Sequence, residues 1–254
     1  YADLSAASTA IEFVAGSGIT YSYLGSTFAN FERYLISTGS GNDFIDTRTV
    51  ALDDHLVLGA GNDTVYAGGG SDYIEGGLGN DSLDGGTGND TIYGGSGNDT
   101  ISLIVDGVDI VDGELGADSL NLNLAELNQN GYAGIWWQGW DSSGQPIAAV
   151  DANYSFSAID SYVKTATTNM LMVYGQYTNN IANTTFTNIE NLSISTSDNG
   201  TISNDDLIFA RGVGNYDAKS GNNDALYADL SAASTAIEFV AGSGVTYSYL
   251  GSTF

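Results

Sequence analysis

From residue 58 onward the alternation of apolar and polar positions settles into a period of nine. LGAGNDTVY (58–66) is followed without a gap by AGGGSDYIE (67–75), GGLGNDSLD (76–84), GGTGNDTIY (85–93) and GGSGNDTIS (94–102). The last three residues of each unit place one large apolar side chain between two small or polar neighbours: Val65, Ile74, Leu83, Ile92 and Ile101. This is strand alternation, with one residue directed inward. The first six residues are rich in Gly and end in Asp, a turn composition in which Gly supplies positive φ and lets backbones approach closely. Nine is not a multiple of 3.6, so a helix does not fit. Strand, turn, strand, turn predicts a parallel β-roll of about 18 residues per coil, with coils stacked about 4.8 Å apart.

Outlying copies extend the pattern. TGSGNDFID occupies 38–46 and GELGADSLN 113–121, the latter with Glu114 in the second Gly position; KSGNNDALY at 219–227 is a degenerate trace. The phase is broken by 47–57 and 103–112, which read as insertions, and Asp53-Asp54-His55 reads as a polar turn before a strand at Leu56-Val57-Leu58. A second repeat has a far longer period. Residues 227–254 reproduce 1–28 with Val245 for Ile19 as the single difference. The chain therefore reads as one module of a tandem array followed by the start of the next. TFANFERYLIST (27–38) also resembles TFTNIENLSIST (185–196), so each is expected to lead into a set of coils.

These boundaries divide the chain into five parts: opening coils at 1–37, the roll at 38–121, an insert at 122–184, further β-coils at 185–226, and the start of the next module at 227–254. The insert departs from the pattern. It contains Trp136, Trp137 and Trp140, the single Pro146 and both Met. LNLAELNQNG (122–131) fits a short helix ended by Gly131, whereas 157–177 suits strand or helix. The expected fold class is mainly all-β, a parallel β-roll or solenoid with an inserted mixed segment.

Charge sharpens the picture. With 31 acidic side chains against five basic ones, the net charge is −26. Nucleic acid and anionic membranes would be repelled, and no apolar run approaches the ~20 residues of a membrane helix. Zero Cys excludes disulfides and thiolate chemistry. Aspartates recurring on stacked turns with no nearby base would repel unless a hard, oxygen-bound divalent cation lay between them. Catalysis is not expected: His55 is the only His, and no H-E-x-x-H, G-x-S-x-G or G-K-[ST] motif occurs.

The nonapeptide resembles the G-G-x-G-x-D-x-U-x unit of the RTX (repeats-in-toxin) family, a motif whose Ca²⁺ binding is itself the standard example of this repeat class. The resemblance is strong over 58–102. It implies calcium held between stacked turns by Asp carboxylates and loop carbonyls. Carried over, it pairs Asp63 with Asp81 and Asp81 with Asp99 on one edge, and Asp72 with Asp90 on the other. Asp43 and Asp118 would add end sites, the last in question because of Glu114. The turn glycines are Gly59, Gly61, Gly68, Gly70, Gly77, Gly79, Gly86, Gly88, Gly95 and Gly97. Asp81, shared by two sites, is expected to matter more than Asp72.

The resemblance also implies secretion. The expected role is a calcium-stabilised structural module of a repetitive extracellular or bacterial cell-surface protein, such as a fibre, surface layer or adhesin. Its partners would be other copies of the module. The alternatives are a calcium-triggered folding domain of a type I secreted enzyme or toxin, and a carbohydrate-binding module. In the last, the Trp cluster would meet cell-surface glycans; otherwise it would make an inter-module contact.

Overall fold

The computed structural model describes residues 1–15, 21–23, 26–28, 33–123, 132–151, 168–175, 182–195, 207–210, 225–228, 248–249 and 252–253. The protein is a β-solenoid, and no helix occurs among the described residues. From Leu35 to Asn123, successive strands alternate between a ten-stranded and a nine-stranded sheet. The first sheet runs in parallel through Leu35–Ser37, His55–Val57, Tyr73–Leu78, Thr91–Ser96, Val108–Leu115 and Ala182–Thr187. The second runs through Phe44–Asp46, Thr64–Tyr66, Ser82–Gly86, Thr100–Ile104, Ser119–Asn123 and Asn191–Ser195. At the amino-terminal end, Ala2–Asp3 adds to the first sheet and Glu12–Val14 to the second.

The core follows from the nine-residue alternation. Ile36, Leu56, Ile74, Ile92, Val111 and Phe186 stack from one strand to the next on one wall. Ile45, Val65, Leu83, Ile101, Leu120 and Leu192 do so on the other. All are buried. Each coil thus contributes at least one aliphatic or aromatic residue per wall, and Leu103 and Leu122 add a second on their strands; each is worth about 1.5–3 kcal/mol of burial.

The two breaks in phase are smaller than the sequence suggests. Inward residues are nine apart from Leu56 to Ile101, but eleven apart from Ile45 to Leu56 and ten apart from Ile101 to Val111. Two residues and one residue are therefore accommodated in turns, and the coils continue through both. The strand at the first break is His55–Val57, with Asp54 buried just before it rather than sitting in a solvated turn. His55 stacks on Tyr73 at 4.5 Å between ring centroids, on the outer face.

Beyond Ala182–Thr187 the first sheet changes direction. Thr168–Gly175 pairs antiparallel with it, then Tyr132–Trp140 with Thr168–Gly175, and Pro146–Asp151 with Tyr132–Trp140. The insert is thus an antiparallel extension of the roll's own sheet. Residues 168–175 are strand, which resolves that part of the 157–177 ambiguity. Residues 122–123 end the strand Ser119–Asn123, and the remainder of the expected helix, 124–131, lies outside the described residues, as does 152–167. The second sheet likewise continues through Leu207–Ala210, antiparallel, and Ala225–Ala228.

The two similar dodecapeptides take different places. Leu35–Ser37 joins the first sheet while its counterpart within Asn191–Ser195 joins the second. Phe186 sits in the parallel roll, whereas Ser26–Phe28 forms an antiparallel hairpin with Tyr21–Tyr23. That hairpin recurs in the duplicated segment: Ser22↔Thr27 and Tyr23↔Ser26 return, at the equivalent positions of the second copy, as Ser248↔Thr253 and Tyr249↔Ser252.

Candidate metal centres along the roll edges

The two walls are joined by turns along two edges, and on each edge the turn aspartates form a ladder. On one edge the Asp43 amide donates to Asp63 Oδ1 (2.7 Å), Asp63 to Asp81 (2.8 Å), Asp81 to Asp99 (2.8 Å) and Asp99 to Asp118 (2.8 Å). On the other, Asp54 donates to Asp72 (2.7 Å), Asp72 to Asp90 (3.0 Å) and Asp90 to Asp109 (3.1 Å). Ile11 N–H opens the first ladder on Asp43, and Tyr34 N–H opens the second on Asp54. Every Asp in both ladders is at most 3% exposed.

The other carboxylate oxygen is left without a partner. Oδ2 of Asp43, Asp54, Asp63, Asp72, Asp81, Asp90, Asp99 and Asp118 is buried and accepts no hydrogen bond among the described residues. Leaving such a group unmade is costly. On the first edge the Oδ2 atoms of Asp81 and Asp99 lie beside backbone carbonyls, whereas Asp90 Oδ2 on the other edge shares its space beside Gly85 with the Leu103 and Ile92 side chains. A methyl group added to Gly76 would sit 2.5 Å from both Asp81 Oδ2 and the Gly94 carbonyl oxygen. One added to Gly94 would sit 2.6 Å from Asp99 Oδ2 and 2.9 Å from the Gly113 carbonyl. A carboxylate of one coil and a carbonyl of the next thus converge where the first Gly of these units keeps the space open.

Positive φ at the second and fourth positions shapes the cradles. Gly77 and Gly79 have φ of 102° and 130°, and a Cβ on Gly79 would run into the Gly61 carbonyl oxygen. The remaining expected turn glycines, Gly59, Gly61, Gly68, Gly70, Gly86, Gly88, Gly95 and Gly97, share this left-handed conformation. Glu114, aligned with Gly95, adopts it too, at φ 63°. Its amide is held by Asp112 Oδ1 at 3.0 Å. The substitution therefore does not interrupt the ladder, and Asp118 remains on it.

Electrostatics match the geometry. Burial pushes the carboxyls of Asp63, Asp81 and Asp90 up to about 6, and those of Asp72, Asp109 and Asp118 up to about 7, from an ordinary 3.8. Neighbouring carboxylates add to the rise, and the donated amides oppose it. Burial raises Asp54 and Asp99 as well. The only salt bridge among the described residues, Arg48–Asp46, lies off both ladders.

Buried, orphaned carboxylate oxygens beside carbonyls form a hard, all-oxygen donor set, the kind Ca²⁺ takes at about 2.3–2.6 Å. Among the described residues no three His, Cys, Asp or Glu side chains converge on one point. Any ion between coils would therefore draw on the Gly carbonyls as well as the Asp.

The structure brings together all seven aspartates expected from the sequence: Asp43, Asp63, Asp81, Asp99 and Asp118 on one edge, Asp72 and Asp90 on the other. It adds Asp54 and Asp109. Asp54 stands 18 residues before Asp72, a spacing that would have revealed it. Asp109 is displaced to 19 residues by the one-residue expansion. Asp72 is consequently an interior member, with Asp54 before it and Asp90 after, which removes the expected advantage of Asp81 over Asp72. The Asn of the G-N-D turn has its own role: Asn62, Asn80 and Asn98 N–H groups donate to Asn42, Asn62 and Asn80 side chains at 2.8–2.9 Å. Trp136, Trp137 and Trp140 lie on the strand Tyr132–Trp140 of the antiparallel extension, with Trp140 half-buried.

A family model of the RTX calcium-binding nonapeptide repeat, in four copies, matches residues 50–83 and 76–103. The matches span the regular part of both ladders. No curated protein and no solved structure matched the chain.

Proposed function

We propose that this chain, whose residues 50–103 match the RTX calcium-binding nonapeptide repeat, is a calcium-stabilised structural module of a repetitive extracellular surface protein. One observation supports the calcium part above all: among the described residues, eight buried carboxylate oxygens on the two edges have no hydrogen-bond partner. Divalent ions shared by successive coils would satisfy them, so binding energy becomes folding energy. RTX repeat proteins are typically secreted, and the extracellular range of calcium suits such sites.

The structural role rests on the long duplication. Segment 227–254 repeats 1–28 with a single substitution, and the same hairpin forms in both copies. Successive modules would then be stacked copies of one calcium-bound unit, touching other copies through coil ends where strand edges are open. No catalytic role is part of this reading.

Far-ultraviolet circular dichroism and electron microscopy test it together. With millimolar calcium the chain should give a strong β spectrum and ordered assemblies; with chelator the β signal should collapse and the assemblies disperse. A β spectrum unchanged by chelation would sink the calcium reading. A calcium-folded chain that stays monomeric at every concentration would sink the assembly reading alone.

A further inference from the structure

The first ladder does not stop at Asp118, the last aspartate of the repeat pattern. The Asp118 amide donates to Glu190 Oε2 at 2.8 Å, a carboxylate 72 residues further along the chain. Glu190 precedes Asn191, which pairs with Ser119, just as Asp118 precedes Ser119, which pairs with Thr100. It therefore occupies the aspartate position of the closing coil, 182–195.

The carbonyl row continues as well. Gly94 O stands against Gly76, Gly113 O against Gly94, and Asn188 O against Gly113. A methyl on Gly113 would also meet Asp118 Oδ2 at 2.6 Å. Asn188 takes a left-handed φ of 50° without being glycine, and its amide side chain donates to Asp112 Oδ1 at 2.7 Å. The closing turn is short, with six positions separating inward Phe186 and Leu192 where the repeat has nine. A Glu in place of Asp spans the lost length with its extra methylene. Asp118 is fully buried, and its Oδ2 has no partner.

We propose that Asp118, Glu190 and the Asn188 carbonyl form a further divalent-cation site, joining the coil 108–123 to the coil 182–195 across the intervening segment. The site rests on the calcium reading of the roll but lies outside the nonapeptide repeats. Its effect is to tie calcium to the insert: Ala182–Thr187, the strand that carries the closing coil, also carries the antiparallel extension with Thr168–Gly175 and Tyr132–Trp140. The opposite edge makes the contrast. There Thr184 Oγ1 donates to Asp109 Oδ2 at 3.0 Å, so that ladder ends on a hydroxyl and leaves no orphan for an ion.

The test compares the wild-type chain with Glu190→Gln and Glu190→Asp. Calcium stoichiometry is read by titration calorimetry, the roll by circular dichroism, and the insert by Trp emission, since all three Trp lie on Tyr132–Trp140. Either variant should lose one bound ion, or shift the Trp midpoint at least tenfold to higher calcium, while the circular dichroism midpoint stays near wild type. Unchanged stoichiometry and unchanged Trp midpoint in both variants overturn the proposal. So does misfolding of both that saturating calcium does not rescue, since Glu190 would then hold a turn and not an ion. A wild-type chain that binds no calcium fails the underlying reading, a result distinct from any of these.

Discussion

The two edges of the roll are built from the same turn, yet they end differently. One carries Asp43, Asp63, Asp81, Asp99 and Asp118, every one with an orphaned oxygen, and closes on the carboxylate of Glu190. The other carries Asp54, Asp72 and Asp90 with orphans, then Asp109, whose second oxygen is satisfied by Thr184. The difference shows two solutions to one problem. A buried carboxylate can be neutralised by a shared cation, or it can be hydrogen-bonded by a hydroxyl and held without one. The first makes folding conditional on the medium; the second does not.

The largest way to probe that contrast is to remove an interior carboxylate from each edge. Asp81→Ala and Asp72→Ala should each raise the calcium concentration needed for folding by a similar factor, tenfold or more, because each lies between two neighbours on its ladder. A calcium titration in which Asp72→Ala is near wild type while Asp81→Ala is not would break the equivalence of the edges.

Acid offers a second probe. In the calcium-free roll, carboxyls with folded values of about 6 to 7 bind protons more readily than the unfolded chain, whose aspartates titrate near 3.8. The folded state therefore gains stability as the pH falls through 7 toward 4, and loses it as the pH rises through the same window. Calcium-free protein should show more β signal at pH 5 than at pH 7.5, with the calcium requirement moving the opposite way as protons compete for the same oxygens. A calcium-free chain that is least structured at pH 5 would contradict this sign.

Thr184→Val should sharpen the comparison at the other end. It keeps the shape of a fully buried residue but strips Asp109 Oδ2 of its donor. The cost should be about 1–3 kcal/mol, seen as a lower melting temperature at saturating calcium with wild-type stoichiometry. Glu114→Gly is the smallest change. It relieves a left-handed non-Gly residue and should stabilise by about 1 kcal/mol, with the melting temperature as the readout; a lower melting temperature would show that the Asp112 contact already offsets the strain of that backbone.

Much of this is legible in the sequence alone. Val65 to Ile101 announce the inward rows, and the Gly-Asp phase announces the ladders, because identical units must stack in identical ways. Asp54 is readable from its spacing to Asp72, but its neighbours Asp53 and His55 make the stretch look like a polar turn. Asp109 is hidden by one extra residue in its turn. Glu190 cannot be found from spacing at all, since chain distance says nothing about which strand follows another in a sheet once a segment as long as 124–181 intervenes. The antiparallel extension is obscure for a related reason: its strands carry no repeat, and their partners are set by the sheet they join.

The two irregular spacings, eleven positions before Leu56 and ten before Val111, have a use that follows from the sameness of everything between them. A stack of identical rungs can slide by a whole rung and find every amide facing an acid again, at no loss except at the ends. An odd tooth at each side of the uniform stretch fits only one notch, so a slipped stack would strand its extra residues inside a tight bend. The departures from the repeat index the rod: they set which rung is which, and so make a periodic sequence fold to one length.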